Sequence, residues 1–122
     1  MAHEVVVAPE GGYVMVTVSG TLAVEEVTRM VTAARTLSDG EGLPILYDMQ
    51  RAVLGGVSKS DVFWMPRNLP VLKAPWARRV RVALVYPASH GEDALFWENS
   101  FRNLGLDVKA FPQREVALAW LR

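Results

Sequence analysis

Two short stretches constrain this chain most: "LPILY" at residues 43–47 and "VRVALVY" at residues 80–86. Each is a nearly continuous apolar run bounded by turn-forming residues, and each is too short for an ordinary helix. Leu43 to Tyr47 reads as a strand that needs apolar cover on both sides, as strands of a parallel sheet flanked by helices do. Residues 106–111, "LDVKAF", form a third strand of similar length.

Between these runs the apolar period lengthens to that of a helix. Val27, Met30, Val31, Ala34 and Leu37 share one stripe, and Glu25 and Glu26 lie in the first turn, where the helix dipole favours acids. Asp39-Gly40-Glu41-Gly42 is expected to stop this helix. A second helix is predicted from Ser58, because Asp61 three positions on completes a capping-box pattern. It should run through Val62, Phe63 and Trp64, with Pro66 and Pro70 obscuring its end. Ser89-His90-Gly91-Glu92 repeats the capping pattern ahead of a stripe of Ala94, Trp97, Phe101 and Leu104, which Gly105 closes. Pro112 and Gln113 open a final helix, predicted to turn Val116, Ala119 and Trp120 inward. At the start, Glu4–Val7 and Tyr13–Ser19 flank the turn Pro9-Glu10-Gly11-Gly12 and read as an antiparallel hairpin, with Val14, Val16 and Val18 on one face.

The order β-β-α-β-α-β-α-β-α predicts an α/β fold: a mostly parallel five-stranded sheet with an N-terminal antiparallel hairpin and four helices. At 122 residues, 51% of them hydrophobic, the sequence suits a single domain over residues 1–122 with a sizeable core. No stretch approaches the roughly 18 uncharged apolar residues of a spanning helix. Met1-Ala2-His3-Glu4 lacks the features of a secretory leader, so a cytoplasmic location is expected. With 13 basic and 13 acidic residues the net charge is zero, which gives no electrostatic reason to expect nucleic acid as a partner. The absence of cysteine removes disulfides, thiolate metal sites and thiol nucleophiles. No cofactor is expected.

The segments "VTVSGTLAVEEV", "PILYDM", "RVALVYP" and above all the close "GLDVKAFPQREVALAWL" carry a resemblance. In these the chain resembles STAS-type domains, closer to the SpoIIAA-like branch than to the anti-sigma-factor antagonists themselves. The resemblance covers nearly the whole chain and implies a small sheet with helices wound successively around it. It also implies action by docking to partner proteins, with a phosphorylatable serine at the start of the second helix in an Asp-Ser-Ser-Gly-like motif. Here Asp48 is followed by a longer stretch without Ser-Ser-Gly, and Ser58 and Ser60 stand at the helix start instead. The SpoIIAA-like branch also resembles small lipid-transfer domains, which implies an apolar ligand as the alternative.

The candidate binding residues are Asp48, Ser58, Ser60, Trp64, Trp76, Arg78 and His90, with Ser58 and Ser60 as phosphosite candidates. Asp48 is expected at the carboxyl end of a strand, where open α/β sheets bind ligands, or else to accept hydrogen bonds from loop amides. Gly55-Gly56 could form an anion nest, but no nucleotide fingerprint accompanies it, and loop flexibility is the plainer role. Ser58 serves as a helix cap or a phosphate acceptor. His3 and His90 lack metal-ligand spacing, so no metal site is expected. Trp76 and Arg78 sit in the one basic cluster, residues 73–81, as anchors for an acidic partner, a phosphate or a lipid headgroup, or as a solvated strand entrance. Adjacent Phe63 and Trp64 cannot both face the core. These features predict a non-enzymatic interaction module that binds a partner protein or self-associates as a dimer, with a small apolar ligand as the alternative.

Overall fold

A computed structural model describes residues 2–53 and 56–122. Strands β1 (Ala2–Val7), β2 (Val14–Thr21), β3 (Ile45–Val53), β4 (Arg81–Val85) and β5 (Asp107–Phe111) lie in that order in one sheet. β1 and β2 pair antiparallel, and the remaining neighbours pair parallel. Helices α1 (Val24–Glu41), α2 (Lys59–Asn68), α3 (Gly91–Arg102) and α4 (Arg114–Leu121) alternate with the strands. Short 3-10 turns at Pro70–Leu72 and Pro75–Arg79 link α2 to β4.

The sheet has two apolar faces. Val14, Val16, Val18, Ile45, Tyr47, Val82, Leu84 and Val108 face Val27, Met30, Val31 and Ala34 of α1, Val62 and Met65 of α2, and Trp97 and Phe101 of α3. Leu46, Ala83, Val85 and Phe111 face Ala117 and Leu121 of α4, together with Ala8 and Tyr13. Full burial of one such aliphatic side chain contributes roughly 1.5–3 kcal/mol, which explains why β3 and β4 are apolar on both sides.

Several boundaries differ from expectation. β3 runs past Tyr47 to Val53, because β2 continues beside it in the pairs Ser19↔Arg51, Gly20↔Ala52 and Thr21↔Val53 after a register shift. Asp48 therefore lies within a strand, although it is the last residue of β3 paired with β4. α1 continues through Gly40 and ends at Gly42, whose left-handed φ of 67° suits a glycine cap. α3 is capped by His90 without a side-chain bond, so Ser89 does not supply the expected box. α4 turns Ala117 and Leu121 inward, leaves Val116 and Ala119 exposed and leaves Trp120 half-buried. Trp120 packs on Phe111 with Arg81 over its ring, so its face is amphipathic. Gly55 lies outside the described residues. Gly56 has a steric role: a Cβ there would collide with the Leu22 carbonyl oxygen.

Buried polar groups pin these elements. Pro66 lies inside α2 and cannot donate to the Val62 carbonyl one turn back; the Ser100 hydroxyl of α3 donates to it instead, at 2.9 Å. Arg35, 2% exposed on α1, donates from Nη1 to the Ala77 carbonyl at 2.9 Å and thereby holds the 3-10 turn before β4. Its Nε has no partner among the described residues, and burial lowers its pKa. Ser38 donates to the Leu43 carbonyl and closes the α1–β3 turn. At the outer edge of β5, Glu98 accepts the Ala110 N–H at 2.6 Å.

Candidate functional site

α2 supplies the most site-like surface. Ser58 is its N-cap as the sequence suggests: its Oγ accepts from the Asp61 N–H and the Asp61 carboxylate accepts from the Ser58 N–H, both at 3.1 Å. Ser60 lies exposed in the first turn. Val62, Met65 and Pro66 take the inward face. A helix turns about 100° per residue, so the two residues between them point outward together.

Phe63 and Trp64 are accordingly 39% and 56% exposed, and their rings meet edge to face at 4.9 Å. Thus both leave the core. Arg67, one turn on, lies 3.7 Å above the Phe63 ring and donates to the Phe63 carbonyl at 2.6 Å. Lys59, one turn back, stands 5.8 Å over Phe96 of α3, beside exposed Leu95. The result is an aromatic surface across α2 and α3 with a cationic rim. Trp64 also borders a shallow cleft of about 320 Å³ shared with Val24, Thr28, Met65 and Pro70. Phe63, Lys59 and Arg67 escape a scan for isolated reactive residues, but the i, i+4 spacing of Lys59, Phe63 and Arg67 was a usable signal.

The other candidates stand apart. Asp48 accepts from the Gln50 N–H at 3.2 Å and lies 3.8 Å from Arg114. Arg114 also donates to the Tyr13 hydroxyl at 2.9 Å, and that hydroxyl donates to Glu10 at 2.7 Å. The Tyr13 bond holds the Glu10 carboxyl below its usual pKa, while burial and the Glu10 bond push the Tyr13 phenol up. His90 pairs with Asp93 at 3.2 Å on its own helix turn. His3 contacts Glu26 at 2.7 Å and ties β1 to α1. Asp48, Ser58 and His90 therefore each engage a different partner and do not converge.

Trp76 and Arg78 also separate. Trp76 faces a groove with Arg79 and Arg81, whereas Arg78 lies beside Gly105 at the α3–β5 turn. Among the described residues no group of three or more His, Asp or Glu side chains is placed to hold a metal, and no helix is long and apolar enough to cross a membrane.

No protein-family model matches the chain, and no curated protein does. Solved structures do. An uncharacterized DUF3478-family protein with a SpoIIAA-like fold from Shewanella loihica PV-4 superposes with a TM-score of 0.62 at 18% identity, over 99% of this chain and 93% of that one. The unphosphorylated anti-sigma factor antagonist SpoIIAA superposes with a TM-score of 0.55 at 15% identity, over 99% of this chain and 98% of that one. The near-complete overlap with both structures settles the architecture: this chain has the SpoIIAA-like, STAS-type fold.

Proposed function

We propose that the chain is a non-enzymatic regulatory module that docks a partner protein through α2, acting in the cytoplasm. The exposed Phe63–Trp64 pair carries this reading. Large aromatics anchor interfaces because they bring much apolar area at little conformational cost. The helix beneath them is fixed by the Ser58 capping box at its start and by Ser100 further along, so the surface is ordered before a partner arrives. The likeness to an anti-sigma factor antagonist, a protein that counters another protein, supports the same direction. The cysteine-free composition suits a reducing compartment. Asp48, Ser58 and His90 each engage a different partner and so form no nucleophile–base set among themselves, which supports the non-enzymatic reading.

An apolar-ligand carrier is the weaker reading. The apolar cavity bordered by Met30, Tyr47, Met49, Trp97 and Phe101 is about 20 Å³, room for about one water-sized group. Replacing both Phe63 and Trp64 with serine should abolish capture of a partner from the native cells, while Tm moves by no more than about 3 °C. Capture that survives the double change removes α2 as the docking surface. An apolar molecule carried in one-to-one stoichiometry, seen by native mass spectrometry of freshly purified protein, would establish the carrier instead.

A further inference from the structure

We infer that the groove at the amino ends of β3 and β4 is a second docking site, for an acidic stretch of a partner chain that carries an apolar anchor. It is separate from the α2 surface: it lies where the parallel strands begin, whereas Ser58 caps α2 after β3 has ended. Its volume is about 480 Å³.

The sequence builds one wall from Pro75-Trp76-Ala77-Arg78-Arg79. Proline at the first position sets the 3-10 turn, and with three residues per turn Trp76 and Arg79 fall on the same side. Ala77, fully buried between them, is held through its carbonyl by Arg35. The facing wall is the end of α1, fixed by the bond from Ser38 to the Leu43 carbonyl. Leu43, Val80 and Leu121 add an apolar floor. Both walls are therefore pinned from inside by buried polar side chains, which lowers the ordering cost of binding.

The charge around this floor decides the partner. Arg79, Arg81 and Arg122 border the groove against one acidic side chain, Asp39. Arg81 is partly engaged by Asp107 at 3.4 Å and by the Trp120 carbonyl at 2.9 Å, but Arg79 and Arg122 enter no ion pair among the described residues. A guanidinium fork matches a carboxylate with two parallel hydrogen bonds, and Trp76 offers a flat apolar face beside it. The groove is an open trough, so it cannot enclose most of a small molecule as an ordinary ligand pocket does. A chain segment laid along it can contact floor and rim together.

The test is an NMR titration of the full-length, nitrogen-labelled protein with the blocked peptide Glu-Leu-Glu-Glu-Phe-Glu-Glu-Leu. Shifts should appear at the Trp76 indole N–H and at the Gly42 and Val80 amides. Affinity should fall about tenfold in Arg79→Glu, and by a similar factor when glutamine replaces every glutamate of the peptide. The Phe63→Ser, Trp64→Ser variant should bind the peptide as the parent does, so loss of the α2 reading leaves this result intact. Arg79 is exposed, so Arg79→Glu should fold, and its amide spectrum verifies that. No shifts at about millimolar peptide, equal binding of the glutamine analogue, or shifts centred on Trp64 would each overturn the inference. So would displacement of the peptide by single-stranded oligothymidylate at lower concentration, which would mark the arginines as a nucleic-acid site.

Discussion

Ser100 and Pro66 should be energetically inseparable. Pro66 withholds the backbone donor that the Val62 carbonyl would receive inside α2, and the Ser100 hydroxyl replaces it from α3 at 2.9 Å. Val62 and Ser100 are 2% and 4% exposed, so water does not substitute when the hydroxyl is removed. Ser100→Ala should therefore carry the penalty of a buried, unsatisfied carbonyl, about 1–3 kcal/mol. In a Pro66→Ala background the restored N–H of residue 66 bonds to Val62 from within the helix. The same Ser100→Ala change should then cost under about 0.5 kcal/mol, giving a coupling of about 1 kcal/mol or more. Urea unfolding of the four proteins measures this directly, provided the slope stays constant across the set. Equal costs of Ser100→Ala in both backgrounds would refute the reasoning, because the hydroxyl would then be stabilising something other than the carbonyl that Pro66 leaves open.

Burial pushes the Tyr47 phenol up to about 12, against a smaller opposite effect of Arg35. Its folded pKa lies above its unfolded value, so its stabilisation is complete below about pH 10 and is lost as pH rises through the folded pKa, an effect on the order of 3 kcal/mol. Urea midpoints at rising alkaline pH should fall more steeply for the parent than for Tyr47→Phe, and parallel curves would dismiss Tyr47 as the cause. Ser58→Ala should cost about 0.5–2 kcal/mol by thermal unfolding, and Ser60→Ala less, because only Ser58 closes a capping box; equal losses would contradict that assignment. Gly56→Ala should destabilise by roughly 1–3 kcal/mol, since the added methyl meets the Leu22 carbonyl and both backbones must shift. An unchanged or raised Tm would show that this stretch yields freely.

What the sequence revealed was local. The capping box at Ser58 and Asp61 spans four positions, and the alternation of Val14, Val16 and Val18 spans five, so both could be read from neighbours alone. β3 outran its expected end because β2 continues beside residues 51–53, and exposed Gln50 and Arg51 carry no apolar signal of that pairing. α4 was read partly out of phase: Trp120 does pack against the core, but Val116 and Ala119 face outward, since six of its eight residues are apolar and mark no narrow stripe. Arg35 and Ser38 look like surface residues on a helix stripe. Only the Ala77 carbonyl, brought in from 42 positions away, explains why Arg35 can be buried. The groove beside Trp76 is invisible for the same reason, as its walls come from two separate stretches, residues 38–42 and 75–79.

The carboxylate of Glu98, set against the Ala110 N–H, makes the two margins of the sheet unequal. β5 offers its outer edge already occupied at that point, while no side chain among the described residues bonds to the backbone of β1, the other outermost strand. Strand margins are templates for adding further strands. A sheet with both margins open can grow without limit, one copy after another. Pairing through the β1 margin joins like to like about a two-fold axis, and a second copy then covers that margin. A strand added at β1 would be of this self-limiting kind, whereas Glu98→Ala should free the Ala110 N–H at the opposite margin for a further strand.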